Sequence, residues 1–132
     1  MLLIYSGEIQ AKRDVQEFQS TMAAHRSLMD DTGKRGILLG TNALRPSTTA
    51  KTIRPGNDGE RLITDGPFAE TKEQLAGFYL LECKDIDEAV AYAKRIPMNC
   101  AAGTTRGVEV REVLPFSEIQ QRLESLLAEQ HA

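Results

Sequence analysis

Thr64-Asp65-Gly66-Pro67-Phe68-Ala69-Glu70-Thr71-Lys72-Glu73-Gln74-Leu75-Ala76-Gly77-Phe78-Tyr79-Leu80-Leu81-Glu82 runs from the end of one strand, through a forced turn, into a second, strongly apolar strand. Gly66 tolerates positive φ and Pro67 fixes its own, so the chain breaks direction directly after Asp65. A polar run with Glu70, Lys72 and Glu73 follows. Gly77 then opens a strand that the pattern carries to Cys83, with Phe78 and Leu80 on one side and Tyr79, Leu81 and Cys83 on the other. A carboxylate at a strand end beside a rigid turn is either a turn former or a chemical group.

Upstream, residues 49–54 and 60–64 flank Pro55-Gly56-Asn57-Asp58-Gly59, a cluster of turn formers between two β-leaning runs. This predicts a hairpin appended to the sheet edge, its second arm delivering Asp65. Arg45-Pro46-Ser47 makes a loop of residues 41–47, and residues 36–40 and 2–6 are short apolar runs suited to buried strands. Between those two, a helix is expected from Asp14 to about Thr32, stopped by Gly33. Val15, Phe18, Met22, His25 and Met29 share one face of it, with Glu17, Ser20, Ser27 and Asp31 on the solvent side.

Downstream, Asp85 caps a helix with an inward stripe of Ile86, Ala89, Val90 and Ala93 that Pro97 ends. A small-residue loop over 99–106 leads to a strand over 107–114, whose alternation slips by one after Arg111. Pro115 and Ser117 start a last helix with Ile119, Leu123, Leu126 and Leu127 on one face, fraying from Glu129. The whole reads as one domain, 1–132, with 115–132 as a C-terminal helical extension.

The order is βαββαβ with an inserted hairpin, the split-βαβ pattern of an α+β sandwich. Three of its strands, at residues 2–5, 37–39 and 78–81, are apolar on both sides. Two helices cover only one face of a four-stranded sheet. The other face would expose more than the roughly 300 to 600 Å² of apolar patch usual on monomers. A second copy of the same sheet is the simplest cover, so a homodimer is expected, with the C-terminal helix swinging across as the alternative.

The residues Asp65-Gly66-Pro67-Phe68, the following Glu70-Thr71-Lys72-Glu73-Gln74, the strand Gly77-Phe78-Tyr79-Leu80, the helix over 85–97 and the closing Val108-Glu109-Val110-Arg111 carry a resemblance. Together they closely resemble the YCII-related proteins, in the branch named for its Asp-Gly-Pro-Phe motif, over nearly the whole chain to Leu114. The resemblance implies a small cytoplasmic bacterial protein with a ferredoxin-like fold, paired into a dimeric α+β barrel. It also implies an association with sigma factors of the extracytoplasmic-function class.

Composition narrows the partners. A net charge of -3 with both signs interspersed gives no footprint for nucleic acid or anionic lipid. Cys83 and Cys100 form no CxxC pair and have no His at ligand spacing, so neither metal nor redox cofactor is signalled, and both read as reduced thiols of a cytoplasmic protein. Residues 1–5 are too short for a signal h-region and no eighteen apolar residues run together, so no membrane segment is expected.

His25 is the one histidine outside the tail, where His131 lies. A lone His on an apolar stripe is ordinarily a core group bonded to a backbone carbonyl. Asp before Gly-Pro ordinarily forms an Asx-turn. The family resemblance adds a second reading, in which His25 is an acid-base group and Asp65 orients it. Tyr79 and Arg111 are candidate ligand-binding groups, with Arg45 and Arg54 as further cations for a carboxylate. Phe68 is expected to plug the core. Two functions follow: a cofactor-independent enzyme moving a proton on a small molecule through His25 and Asp65, or a non-catalytic dimeric module binding a ligand or a protein in sigma-factor-linked regulation.

Overall fold

A computed structural model describes residues 1–7, 15–98 and 106–132. It has the strands β1 (Leu2–Ser6), β2 (Leu38–Ala43), β3 (Lys51–Pro55), β4 (Arg61–Asp65), β5 (Gln74–Leu81) and β6 (Arg106–Val110), and the helices α1 (Val15–Lys34), α2 (Ile86–Ala93) and α3 (Phe116–Gln130). Four strands form one antiparallel sheet in the order β2-β5-β1-β6, which is the ferredoxin-like arrangement; β3 and β4 pair separately as a two-stranded hairpin. The expected start of α1 at Asp14, most of the 99–106 loop and Cys100 lie outside the described residues.

Alternation along β1 sets the layers. Leu2 and Ile4 point under the helices and are buried beside Tyr79 of β5, Leu28 of α1, and Tyr92, Ala93 and Ile96 from α2 and its exit. Register carries the same face across the sheet, because Leu2 lies opposite both Tyr79 and Val110, and Ile4 opposite Val108. The stripe expected of α1 therefore needs correcting. Leu28 and Thr32 are its fully buried residues, while Val15, Phe18 and Met22 stay exposed beyond the edge of the core. On α2 the buried positions are Tyr92 and Ala93 and not Ile86, which is 51% exposed.

Helix ends follow local chemistry. Gly36, not Gly33, stops α1: it takes φ +71°, Ile37 N–H donates to Thr32 O at 3.0 Å and Gly36 N–H to Gly33 O at 3.0 Å, a Schellman close that satisfies the last carbonyls. Asp85 caps α2 by accepting from Glu88 N–H at 2.8 Å, and Glu88 accepts in return from Lys84 N–H at 3.0 Å. Asp31 bridges the helices through Arg35 and Arg95, whose hydrogen bonds hold its carboxyl below the usual range.

Strand bounds moved for reasons of pairing. Thr41, Asn42 and Ala43 pair with Tyr79, Phe78 and Gly77 of β5, so β2 extends into what the sequence marked as loop. Gly77 is required there, since a Cβ would lie 2.9 Å from Asn42 O. β6 stops at Val110, just before the alternation slips after Arg111, and α3 continues to Gln130 where fraying was expected.

The outer face of the sheet carries Leu3, Tyr5, Phe78 and Leu80, with Leu39 at 59% and Leu75 at 38% exposure. No described helix lies over it. Every residue of α3 is exposed, including Phe116, Ile119, Leu123, Leu126 and Leu127, so the helix does not cover its own sheet.

Candidate functional site

At the end of the sheet where β1 and β2 finish and β5 and β6 begin, the overhanging first half of α1 leaves a cleft of about 570 Å³. That is within the range of small-molecule pockets. Ile4, Phe18, Met22, Met29 and Leu44 supply apolar wall, and Ser6, Thr21, Thr41, Asn42, His25, Tyr79 and Arg106 supply polar groups. Phe18 and Met22, exposed in the wrong place for a core, are wall residues of this cleft.

His25 is half-buried, and its Nδ1 lies 2.7 Å from Tyr79 Oη, the two rings nearly parallel at 8°. The bond arises because Tyr79 occupies the helix-facing phase of β5 and His25 sits one helical turn before the buried Leu28 and the partly buried Met29. Burial pushes the imidazole below its ordinary 6.5, and the Arg106 guanidinium pushes the same way, so His25 is neutral at pH 7. Burial raises the Tyr79 phenol, with the Thr41 hydroxyl opposing, which leaves it protonated. Thr41 Oγ1 itself donates to Phe78 O at 2.9 Å.

Arg106 escaped the sequence reading, which named Arg45, Arg54 and Arg111. Its Nη1 donates to Pro97 O at 3.1 Å, and among the described residues no carboxylate pairs with it. The signal was present: Arg106 precedes Val108 and Val110 by even steps, so it shares their helix-facing phase. A cation in the inward phase of a strand is out of place unless it lines a cavity.

The other named residues lie elsewhere. Arg111 is beyond the opposite end of β6, ion-paired with Glu109 at 3.1 Å, and does not line the cleft. Asp65 ends β4 on the hairpin, where its exposed carboxylate accepts from Lys51 Nζ at 2.6 Å. Within one chain, then, the structure joins His25 to Tyr79 and leaves Asp65 with Lys51. Gly66 makes the turn at φ +99°, its N–H donating to Ala50 O at 2.7 Å and its carbonyl accepting from Thr52 at 2.8 Å. Phe68 does not plug the core; it is 69% exposed under the Arg54 guanidinium, 4.3 Å from its ring centre.

Among the described residues no three His, Cys, Asp or Glu side chains gather as metal ligands, and no helix is long and apolar enough to cross a membrane. Burial and the Glu88 carboxylate raise the Cys83 thiol, which argues against an activated thiolate.

The YCII-related domain matches residues 1–117. The chain belongs to the YCII-related family. An uncharacterised protein of Rhizobium meliloti (strain 1021) is 38% identical over 101 residues, which cover 76% of this chain and 77% of that protein. The matched span holds every residue of the cleft, and α3 falls almost wholly outside it. For a YCII-related chain the fold is thus fixed while the chemistry has to be read from the cleft.

Proposed function

We propose that this protein is a cofactor-independent enzyme that transfers a proton on a small molecule bound in the cleft, with His25 as the proton carrier. The carrying observation is the 2.7 Å contact between His25 Nδ1 and Tyr79 Oη inside a partly enclosed cavity. In the tautomer whose Nδ1–H donates to Tyr79 Oη, the ring plane is fixed and the unprotonated Nε2 is left for the ligand. Because the imidazole is neutral at pH 7, it begins as a base: it takes a proton from the substrate and returns it to another atom or to the leaving group. The positioning role that the sequence suggested for Asp65 passes to Tyr79 within the chain. Asp65 enters this reading only if the hairpin closes on its own cleft or on that of a second copy.

The protein works as a cytoplasmic homodimer in this reading. The bare sheet face with Leu3, Tyr5, Phe78 and Leu80 supports a second copy as its cover, since α3 leaves it open. The apolar side of α3 favours a second reading, a dimeric module that binds another protein through that helix. A substrate screen with the unaltered protein and His25→Ala separates the two. The enzyme reading expects a reaction that disappears in His25→Ala while circular dichroism and dimer mass stay unchanged. Equal turnover in the variant would end it.

A further inference from the structure

The cleft holds an unusual combination of charges. Among its described lining residues Arg106 is the only cation and there is no aspartate or glutamate, and His25 beside it is neutral. Arg106 is half-buried and makes one described hydrogen bond, to Pro97 O, so most of its five donors are unused by described groups. A half-buried cation with no counter-charge among the described groups calls for an anion, and the fork of an arginine matches a carboxylate in a bidentate way. The facing wall of Ile4, Phe18, Met22, Met29 and Leu44 offers nothing to a second charge.

We infer that the ligand of this cleft is a small monocarboxylate with a compact apolar body, its carboxylate held by Arg106 and its body lying against the α1 wall beside His25. The location rests on the proposed acid-base site; the ligand class rests on Arg106. An anion at Arg106 also changes the base. Arg106 and Tyr79 are the described ionisable groups facing His25, and of these Arg106 carries the charge that depresses it. A bound carboxylate offsets that charge, so His25 is more basic with a carboxylate in the cleft than with a neutral ligand of the same shape, which adds only burial.

The test uses benzoate and cyclohexanecarboxylate as anionic probes and benzamide as the neutral counterpart of benzoate, with His25 followed by imidazole nitrogen resonances. His131, exposed at the end of α3, serves as internal control. Both carboxylates should bind saturably, and benzoate should leave the His25 pKa above its value with benzamide, which should bind at least tenfold more weakly. Arg106→Gln should raise the His25 pKa in the free protein and weaken benzoate at least tenfold, while Arg106→Lys, which keeps the charge and loses the fork, should fall between.

Failure of both carboxylates to bind, equal affinity for benzoate and benzamide, or undiminished benzoate binding to Arg106→Gln would each overturn the inference. The comparison of probes on the unaltered protein needs no variant to fold. Equal probe affinities with turnover still lost in His25→Ala would remove the carboxylate and leave the acid-base reading. Arg106-dependent benzoate binding with full turnover in His25→Ala would do the reverse.

Discussion

The cleft around His25 and the hairpin turn at Asp65 are the two places where this sequence concentrates suggestive chemistry, and the fold treats them in opposite ways. His25 is drawn under a helix, loses water on part of its surface and gains Tyr79 and Arg106 as neighbours, so its proton affinity shifts. Asp65 stands on a two-stranded ribbon outside the main sheet, 85% of its side chain exposed, with Lys51 as partner. Water screens a pair like that, and such contacts contribute about 0 to 1 kcal/mol. A titratable group acquires chemistry from partial burial and oriented neighbours, and a rigid turn supplies neither.

The contrast is open to attack at several strengths. Replacing His25 by Ala should lower any turnover by about 10² to 10⁴, the span of positioned acid-base catalysis, measured as kcat/KM. Asp65→Asn should stay within about threefold of the unaltered protein by the same assay, a factor that corresponds to roughly 0.7 kcal/mol. A collapse in Asp65→Asn as large as that in His25→Ala would show that the hairpin reaches a cleft after all.

Stability should divide along the same line. Leu28, completely buried one turn beyond His25, should cost about 2 to 5 kcal/mol as Ala in urea unfolding. Ile63, 67% exposed on the hairpin, should cost less than about 0.5 kcal/mol in the same assay. Gly77→Ala should be intermediate, about 1 to 3 kcal/mol, because its new Cβ meets backbone at Asn42 O. A large loss at Ile63 would mean that a second copy covers the hairpin.

The smallest effect is a pH dependence. The folded pKa of His25 lies below its ordinary 6.5, so between the two values the unfolded chain binds the proton more readily. Stability should therefore fall as pH drops through about 6.5 toward the folded value, and be indifferent to this group at neutral pH and above. Urea midpoints of the unaltered protein and His25→Gln should converge as pH falls over that window. The logarithm of kcat/KM should rise with pH across the same range and level off by pH 7.

Much of this protein is legible from local pattern. The apolar run at residues 2–6, the cap at Asp85, the turn formers between the hairpin arms and the apolar surplus on three strands are short-range statements, and they gave the ferredoxin-like order with an appended hairpin and an uncovered sheet face. The sequence also named His25, from the apolar stripe of its helix, and Tyr79, as a group facing either a pocket or a dimer partner. What it could not supply is which inward phases meet. The Tyr79 contact with His25 spans more than fifty residues, and β2 lengthens to bring in Thr41 because Thr41 pairs with the distant Tyr79. Arg106 becomes a cleft group because β6 pairs with β1 in a register that ends beside Ser6. Asp65, marked by its motif, was separated from His25 by the hairpin's independence from the main sheet. Periodicity fixes which way a side chain points along its own element; which other side chain it finds there is settled by register and layer packing, and these exist only once the distant strands have been brought together.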